Sequence, residues 1–183
     1  MTRVKTVAQA PRPRETTKAN DKGLLGLLFL SSKEPAVVKN ALEILSGLID
    51  ADKKDINDEA LFSKLVSLAK GKDPGVRNIV LSLFFIGTLY KINRTHYQDL
   101  LDTAVYLLEN GDKSGTTRYS IVLLNALHSV GFIKQGDEEV LTALANIANP
   151  DLDREIEVER QAVISNLLRK ETSASKKKVK GEN

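Results

Sequence analysis

The chain has no cysteine and no tryptophan, and only one methionine and two histidines among its 183 residues. Without cysteine there is no disulfide, no thiolate ligand and no thiol nucleophile, a composition that fits a reducing compartment. His96 and His128 have no second histidine, cysteine or acidic pair at metal-ligand spacing, so packing or capping is expected of both, with no metal site. Long apolar runs are missing too. The longest, around Phe84 to Leu89, is interrupted by Ser, Gly and Thr and falls short of the ~18 residues that cross a bilayer. Met1-Thr2-Arg3-Val4-Lys5 leads into no apolar stretch, so no secretory signal or membrane insertion is expected, and the protein is expected to be intracellular, cytoplasmic or nuclear. Phosphate-loop, dinucleotide, nucleophile-elbow and H-E-x-x-H segments are absent. Glu138-Glu139 and Asp151/Asp153 fall at predicted helix starts, where the macrodipole favours carboxylates. The expectation is a non-enzymatic protein with no cofactor.

What the chain does contain is self-similarity. Arg77 opens the run Ile79-Val80-Leu81-Ser82-Leu83-Phe84-Phe85-Ile86, and Arg118 and Arg160 open similar runs at successive separations of 41 and 42 residues. Upstream of each lies a second stripe: Leu61/Phe62/Leu65/Leu68/Ala69, Leu100/Leu101/Ala104/Leu107/Leu108 and Val140/Leu141/Leu144/Ile147/Ala148, offset by 39 and 40. Each stripe has the i, i+1, i+4, i+7, i+8 spacing of one buried helix face. The repeating unit is therefore a helix pair stacked on its neighbours. Punctuation supports four pairs: Pro35 and Pro74 at first turns, Asn57 or Asp58 and Asp137 at helix starts, and breaks at Asn93-Arg94-Thr95, Asn110-Gly111-Asp112, Gly131 and Gly136.

Asp73-Pro74-Gly75-Val76-Arg77, lying between two amphipathic helices, resembles the D-P-x-V-R segment of HEAT repeats. Glu34-Pro35-Ala36-Val37-Val38-Lys39 suggests an earlier unit whose first helix would hold Leu24, Leu25, Leu28 and Phe29. The resemblance covers residues 21–170 and implies an all-α fold, a right-handed α-solenoid of about four HEAT-like helix pairs. It also implies that Arg77, Arg118 and Arg160 pair with turn aspartates (Asp73, Asp112, Asp151 or Asp153) in a packing ladder. The second helices would line a concave face, reading Lys39, Asn78, Tyr119 and Gln161 at one position and Glu43, Ser82, Leu123 and Ser165 at another. Tyr119 with Leu123 is either an exposed anchor or, after a slight rotation, a pair that buries Leu123.

Charge is segregated. Residues 1–20 and 169–183 each carry a net +4, which leaves five net negative charges on the body between them, although the whole chain is only +3. Both ends lack apolar periodicity, so residues 1–20 and 171–183 are read as disordered basic tails. The leading expectation is a scaffold or adaptor that holds a partner peptide or helix, favoured if basic by the acidic body. Alternatively, the tails would associate weakly and without sequence preference with nucleic acid, since no aromatics accompany the basic residues, or the chain would be a subunit of a larger nuclear assembly. Lys176, Lys177, Lys178 and Lys180 have the shape of a nuclear import address.

Overall fold

The computed structural model describes residues 27–51, 54–110, 115–147 and 153–169. Among these, the fold is all-helical: α1 (Pro35–Asp50), α2 (Glu59–Ala69), α3 (Pro74–Tyr90), α4 (Tyr97–Asn110), α5 (Gly115–Ser129), α6 (Glu138–Ala145) and α7 (Arg154–Leu168). A 3-10 turn, Arg94–His96, leads into α4, and residues 27–30 form a helical turn ahead of α1. No described residue lies in a strand. Both basic tails, Lys176 to Lys180 within them, lie outside the described residues, as do Leu24, Leu25, Asp112 and Asp151.

Carboxylates set the helix starts. Asp58 accepts from the Leu61 N–H at 3.0 Å, Asp73 from Val76 at 2.8 Å, Asp137 from Val140 at 3.3 Å and Asp153 from Glu155 at 3.1 Å. Each satisfies an N–H with no intrahelical partner and places negative charge at the positive end of the dipole. Pro35 and Pro74 stand in first turns, where the missing N–H costs nothing. Between α5 and α6 the chain turns through Gly131 and Gly136, whose φ values of 71° and 74° lie in the left-handed region.

The helices form two layers. α2, α4 and α6 pack one on the next, α1, α3, α5 and α7 do likewise, and α2/α3, α4/α5 and α6/α7 pack across. The first layer buries its upstream stripes, with Leu61, Phe62, Leu65, Leu100, Ala104, Leu107, Val140 and Leu144 all in one core. At about 1.5–3 kcal/mol for each fully buried large side chain, these contacts dominate what favours folding. His96 is part of the core: its ring stacks on Phe62 at 4.0 Å, and Phe62 lies 5.4 Å from Phe84. Phe132 sets its edge against Tyr97 at 5.5 Å, so the α5–α6 connection is held from within the chain.

From α1 through α5 the second layer repeats every 39 residues rather than every 41, and from α5 to α7 every 40. Leu42, Leu45 and Ile49 of α1 are buried where α3 buries Leu81, Phe84 and Thr88 and α5 buries Ser120, Leu123 and Leu127. Gly47, Ile86 and Asn125, at the same steps, are exposed. The arginines therefore occupy different turns. Arg118 falls where Ile79 stands, two residues past Arg77, because it follows Asp112 by six residues whereas Arg77 follows Asp73 by four. In α7 the inward row is Ile156, Val163 and Leu167, and Arg160 lies in that row, half-buried.

The first unit also departs from expectation. Leu28 and Phe29 are exposed, while Leu30 is buried and Leu27 packs against the core. The 39-residue step accounts for this, since Leu27 and Leu30 repeat the inward Val66 and Ala69.

Candidate interaction surface

Helix rotation decides which side chains are free to meet a partner. Lys39 and Asn78 share one position of the 39-residue step, and both reach the next helix of their layer. Lys39 Nζ lies 3.1 Å from Asp73 Oδ1 at the start of α3, and Asn78 Oδ1 accepts from Thr116 Oγ1 at 3.3 Å at the start of α5. Glycine makes room for them. A Cβ on Gly75 would come within 2.5 Å of Lys39 Nζ, and one on Gly115 within 2.6 Å of Asn78 Nδ2. The Asp73 carboxyl is held below its usual range first by the Val76 N–H and then by Lys39. At the other end of the same pair, Lys91 donates to the carbonyls of Ile49 and Asp50 at the terminus of α1. α1 and α3 are thus tied side by side at both ends.

Arg118 and Arg160 add further ties through glutamates of α7. Arg118 Nη2 meets Glu159 Oε1 at 3.3 Å and Glu155 Oε2 at 3.7 Å, both on α7. Arg160 forks onto Glu157 through Nε and Nη2, at 2.8 and 2.7 Å, and donates from Nη1 to the Leu144 carbonyl at 2.8 Å near the end of α6. These bonds, with Gln161 as a second donor, pull the Glu157 carboxyl from 4.5 down to about 2, and Glu157 in turn raises the Arg160 guanidinium. Among the described residues the partners of the Arg118 and Arg160 guanidinium groups are glutamates, with the Leu144 carbonyl, while Asp73 takes Lys39 and Asp153 caps α7; Asp112 and Asp151, the other aspartates expected in the ladder, lie outside the described residues.

Of the eight residues expected to meet a partner, Leu123 is a correction. It is 0 % exposed, because it repeats Phe84 and Leu45 on the inward row. Tyr119 is half-buried and packs against the core. Lys39 and Asn78 are engaged in the seam, and Gln161 donates to Glu157 at 2.8 Å. Glu43 and Ser165 are exposed, and Ser82 is half-buried. The Tyr119–Leu123 anchor does not form.

The outward face of α3 instead carries Ile86, Leu89 and Tyr90, the last 78 % exposed. The sequence offers a faint signal for this: Ile86 and Tyr90 are an i, i+4 pair at the end of a run too continuously apolar to reveal its outer side. A cleft of about 270 Å³, lined by Ile49, Lys54, Asp55, Ile56 and Lys91, opens at the same end of α1 and α3. Its rim is held by Asn57, which donates to Asp55 and to the Lys91 carbonyl and accepts from the Asn93 N–H. The Asn57 backbone and side-chain donors lower the Asp55 carboxyl.

Among the described residues no group of three or more His, Cys, Asp and Glu could hold a metal ion, and no helix is long and apolar enough to cross a membrane. In comparisons with known proteins, no family model, curated protein or solved structure gives a significant match to the chain.

Proposed function

We propose that the chain is a non-catalytic scaffold for protein–protein interaction. In this reading it is a right-handed α-solenoid of about four HEAT-like helix pairs, and the outward face of its second-helix layer holds a peptide or helix of another protein. The two-layer packing in chain order and the 39-residue register support the architecture. The observation that carries the binding role is the exposed Ile86, Leu89 and Tyr90 cluster, an aromatic and aliphatic surface of the kind that anchors interfaces. Five net negative charges on the body favour a basic partner segment, mainly by steering its approach.

Crosslinking in the native cell would identify the partner, and binding and melting would then be measured for Tyr90→Ala. A loss of at least ~1 kcal/mol in affinity at unchanged melting temperature is expected. Undiminished binding by Tyr90→Ala and Ile86→Ala together would refute the assignment.

The segregation of basic residues into the two ends supports a second reading, nucleic-acid association through the tails. Affinity for a random duplex measured at two salt concentrations tests it. A flat salt response would exclude it.

A further inference from the structure

The outward side of the seam between α1 and α3 joins charge to the apolar cluster. Gly47 and Ile86 share one position of the 39-residue step, and both are exposed. At about 100° per residue, Glu43 and Asp50 lie about 40° and 60° around α1 from Gly47, on the side of Lys39, which reaches the start of α3. On α3, Tyr90 lies about 40° from Ile86 in the opposite sense, on the side that the register turns toward α1 and where Leu83 and Gly87 are buried. Two exposed carboxylates and an exposed tyrosine thus border one groove, with Ile86 beside them. Gly47 keeps its α1 rim low: a Cβ there meets nothing within 4 Å, so the backbone of a partner can come close.

Packing does not call for acids at these places. The step puts Ser82 and Leu89 at the same positions of α3, and Ile121 and His128 in α5. Asp50 stands in the last turn of α1, at the negative end of the dipole, where a carboxylate costs stability. Among the described residues neither Glu43 nor Asp50 has a side-chain ion pair or hydrogen bond. The nearby cations are engaged elsewhere, Lys39 with Asp73 and Lys91 with the carbonyls of Ile49 and Asp50. The next groove, between α3 and α5, has Ser82 and Leu89 on one side and Arg118 and Ser129 on the other, with no carboxylate.

Glu43 and Asp50 are seven residues apart, about 10.5 Å along α1, or two helical turns. A helix lying along the groove would set Lys or Arg at i and i+7 against them and turn its apolar side to Ile86 and Tyr90. The basic ends of this chain lack such a side; Lys176-Lys177-Lys178-Val179-Lys180 offers a single apolar residue.

We infer that the α1–α3 groove takes an amphipathic helix of another protein, with two basic residues two turns apart seated on Glu43 and Asp50 and an apolar side on Ile86 and Tyr90. The inference rests on the scaffold reading and adds to it the carboxylates that select the partner. Such charges discriminate among partners more than they add affinity.

The probe is a phage-displayed library of random peptides, panned on the full chain. Recovered sequences should combine an apolar stripe with Lys or Arg at i and i+7. Against a recovered peptide, the Glu43→Gln, Asp50→Asn double variant should bind about 3–30-fold more weakly at low salt, and the difference should shrink in about 0.5 M salt. Both substitutions keep side-chain size, and circular dichroism checks the fold. Tyr90→Ala should weaken binding about fivefold or more. The chain has no native cysteine, so Gly47→Cys carrying a thiol-to-amine linker should join to a lysine of the bound peptide. Loss of binding in Tyr90→Ala with none in the double variant, or recovery of acidic sequences, would overturn this inference and leave the scaffold reading standing. Linkage of position 47 to Lys176, Lys177, Lys178 or Lys180 of the same chain, or to a second chain, would overturn it by naming another occupant. Peptides indifferent to both variants, or no recovered peptide at all, would overturn the scaffold reading with it.

Discussion

Leu123→Ala separates the 39-residue register from the one drawn through the arginines. Leu123 is fully buried in line with Phe84 and Leu45, so its side chain is enclosed on all sides. Removing three carbon atoms forfeits about 2.4 kcal/mol of transfer free energy, and the residual cavity brings the total to roughly 2–5 kcal/mol. For a chain of this length each kcal/mol is worth about 2–4 °C, so a fall of about 5–15 °C is expected. Asn125 is the internal control. It lies two residues further along α5, turned about 200° away and exposed, and Asn125→Ala should change stability by less than about 0.5 kcal/mol. The assay is thermal unfolding followed by circular dichroism at one protein concentration, with urea midpoints as a check. Equal effects at the two positions, or a larger loss at Asn125, would show that α5 is rotated and would return Leu123 to the surface.

Two glycines of the second layer should respond with opposite signs in urea denaturation. A Cβ on Gly87 would lie 2.7 Å from Ile92 Cδ1, whereas one on Gly47 meets nothing within 4 Å. Gly87→Ala should therefore destabilise by up to ~2 kcal/mol net of its helix-propensity gain, and Gly47→Ala should stabilise by ~0.5–1 kcal/mol. Acid unfolding reports on Glu157, whose carboxyl drops from 4.5 to about 2 on folding. The unfolded chain binds more protons between those values, so the contribution is whole above 4.5 and is lost as pH falls toward 2. Glu157→Gln should flatten melting temperature against pH within that window, modestly because the side chain is 39 % exposed, and an unchanged slope would refute the assignment.

The first layer was legible in the sequence because its stripes, from Leu61 to Ala69 and from Leu100 to Leu108, combine dense apolar positions with unambiguous polar gaps. All-helical character followed from the same periodicity. The second layer was harder to orient. α3 is apolar on nearly every side, so its pattern does not mark an outward face, and α5 buries Thr116, Thr117 and Ser120, which read as surface residues. Arginine was a poor ruler for that layer. Its long side chain reaches a carboxylate from several turns, so Arg77, Arg118 and Arg160 look equivalent in sequence while standing at different rotations. An error of two residues turns a helix by about 200°, enough to exchange Leu123 for Asn125 on the open face. The aspartates of the turns give the better measure: Asp73 and Asp112 are 39 residues apart, as the packing is.

The side-by-side ties between successive helices also bear on how the molecule would yield under load. Helix contacts run between neighbours along the chain, so tension applied at the two ends passes through Lys39–Asp73, Asn78–Thr116 and Arg118–Glu159 in series rather than in parallel. Links in series fail one at a time. Each unit that lets go would pay out 39 residues of chain, about 130–140 Å of contour length, turning a single pull into a staircase of evenly spaced extensions.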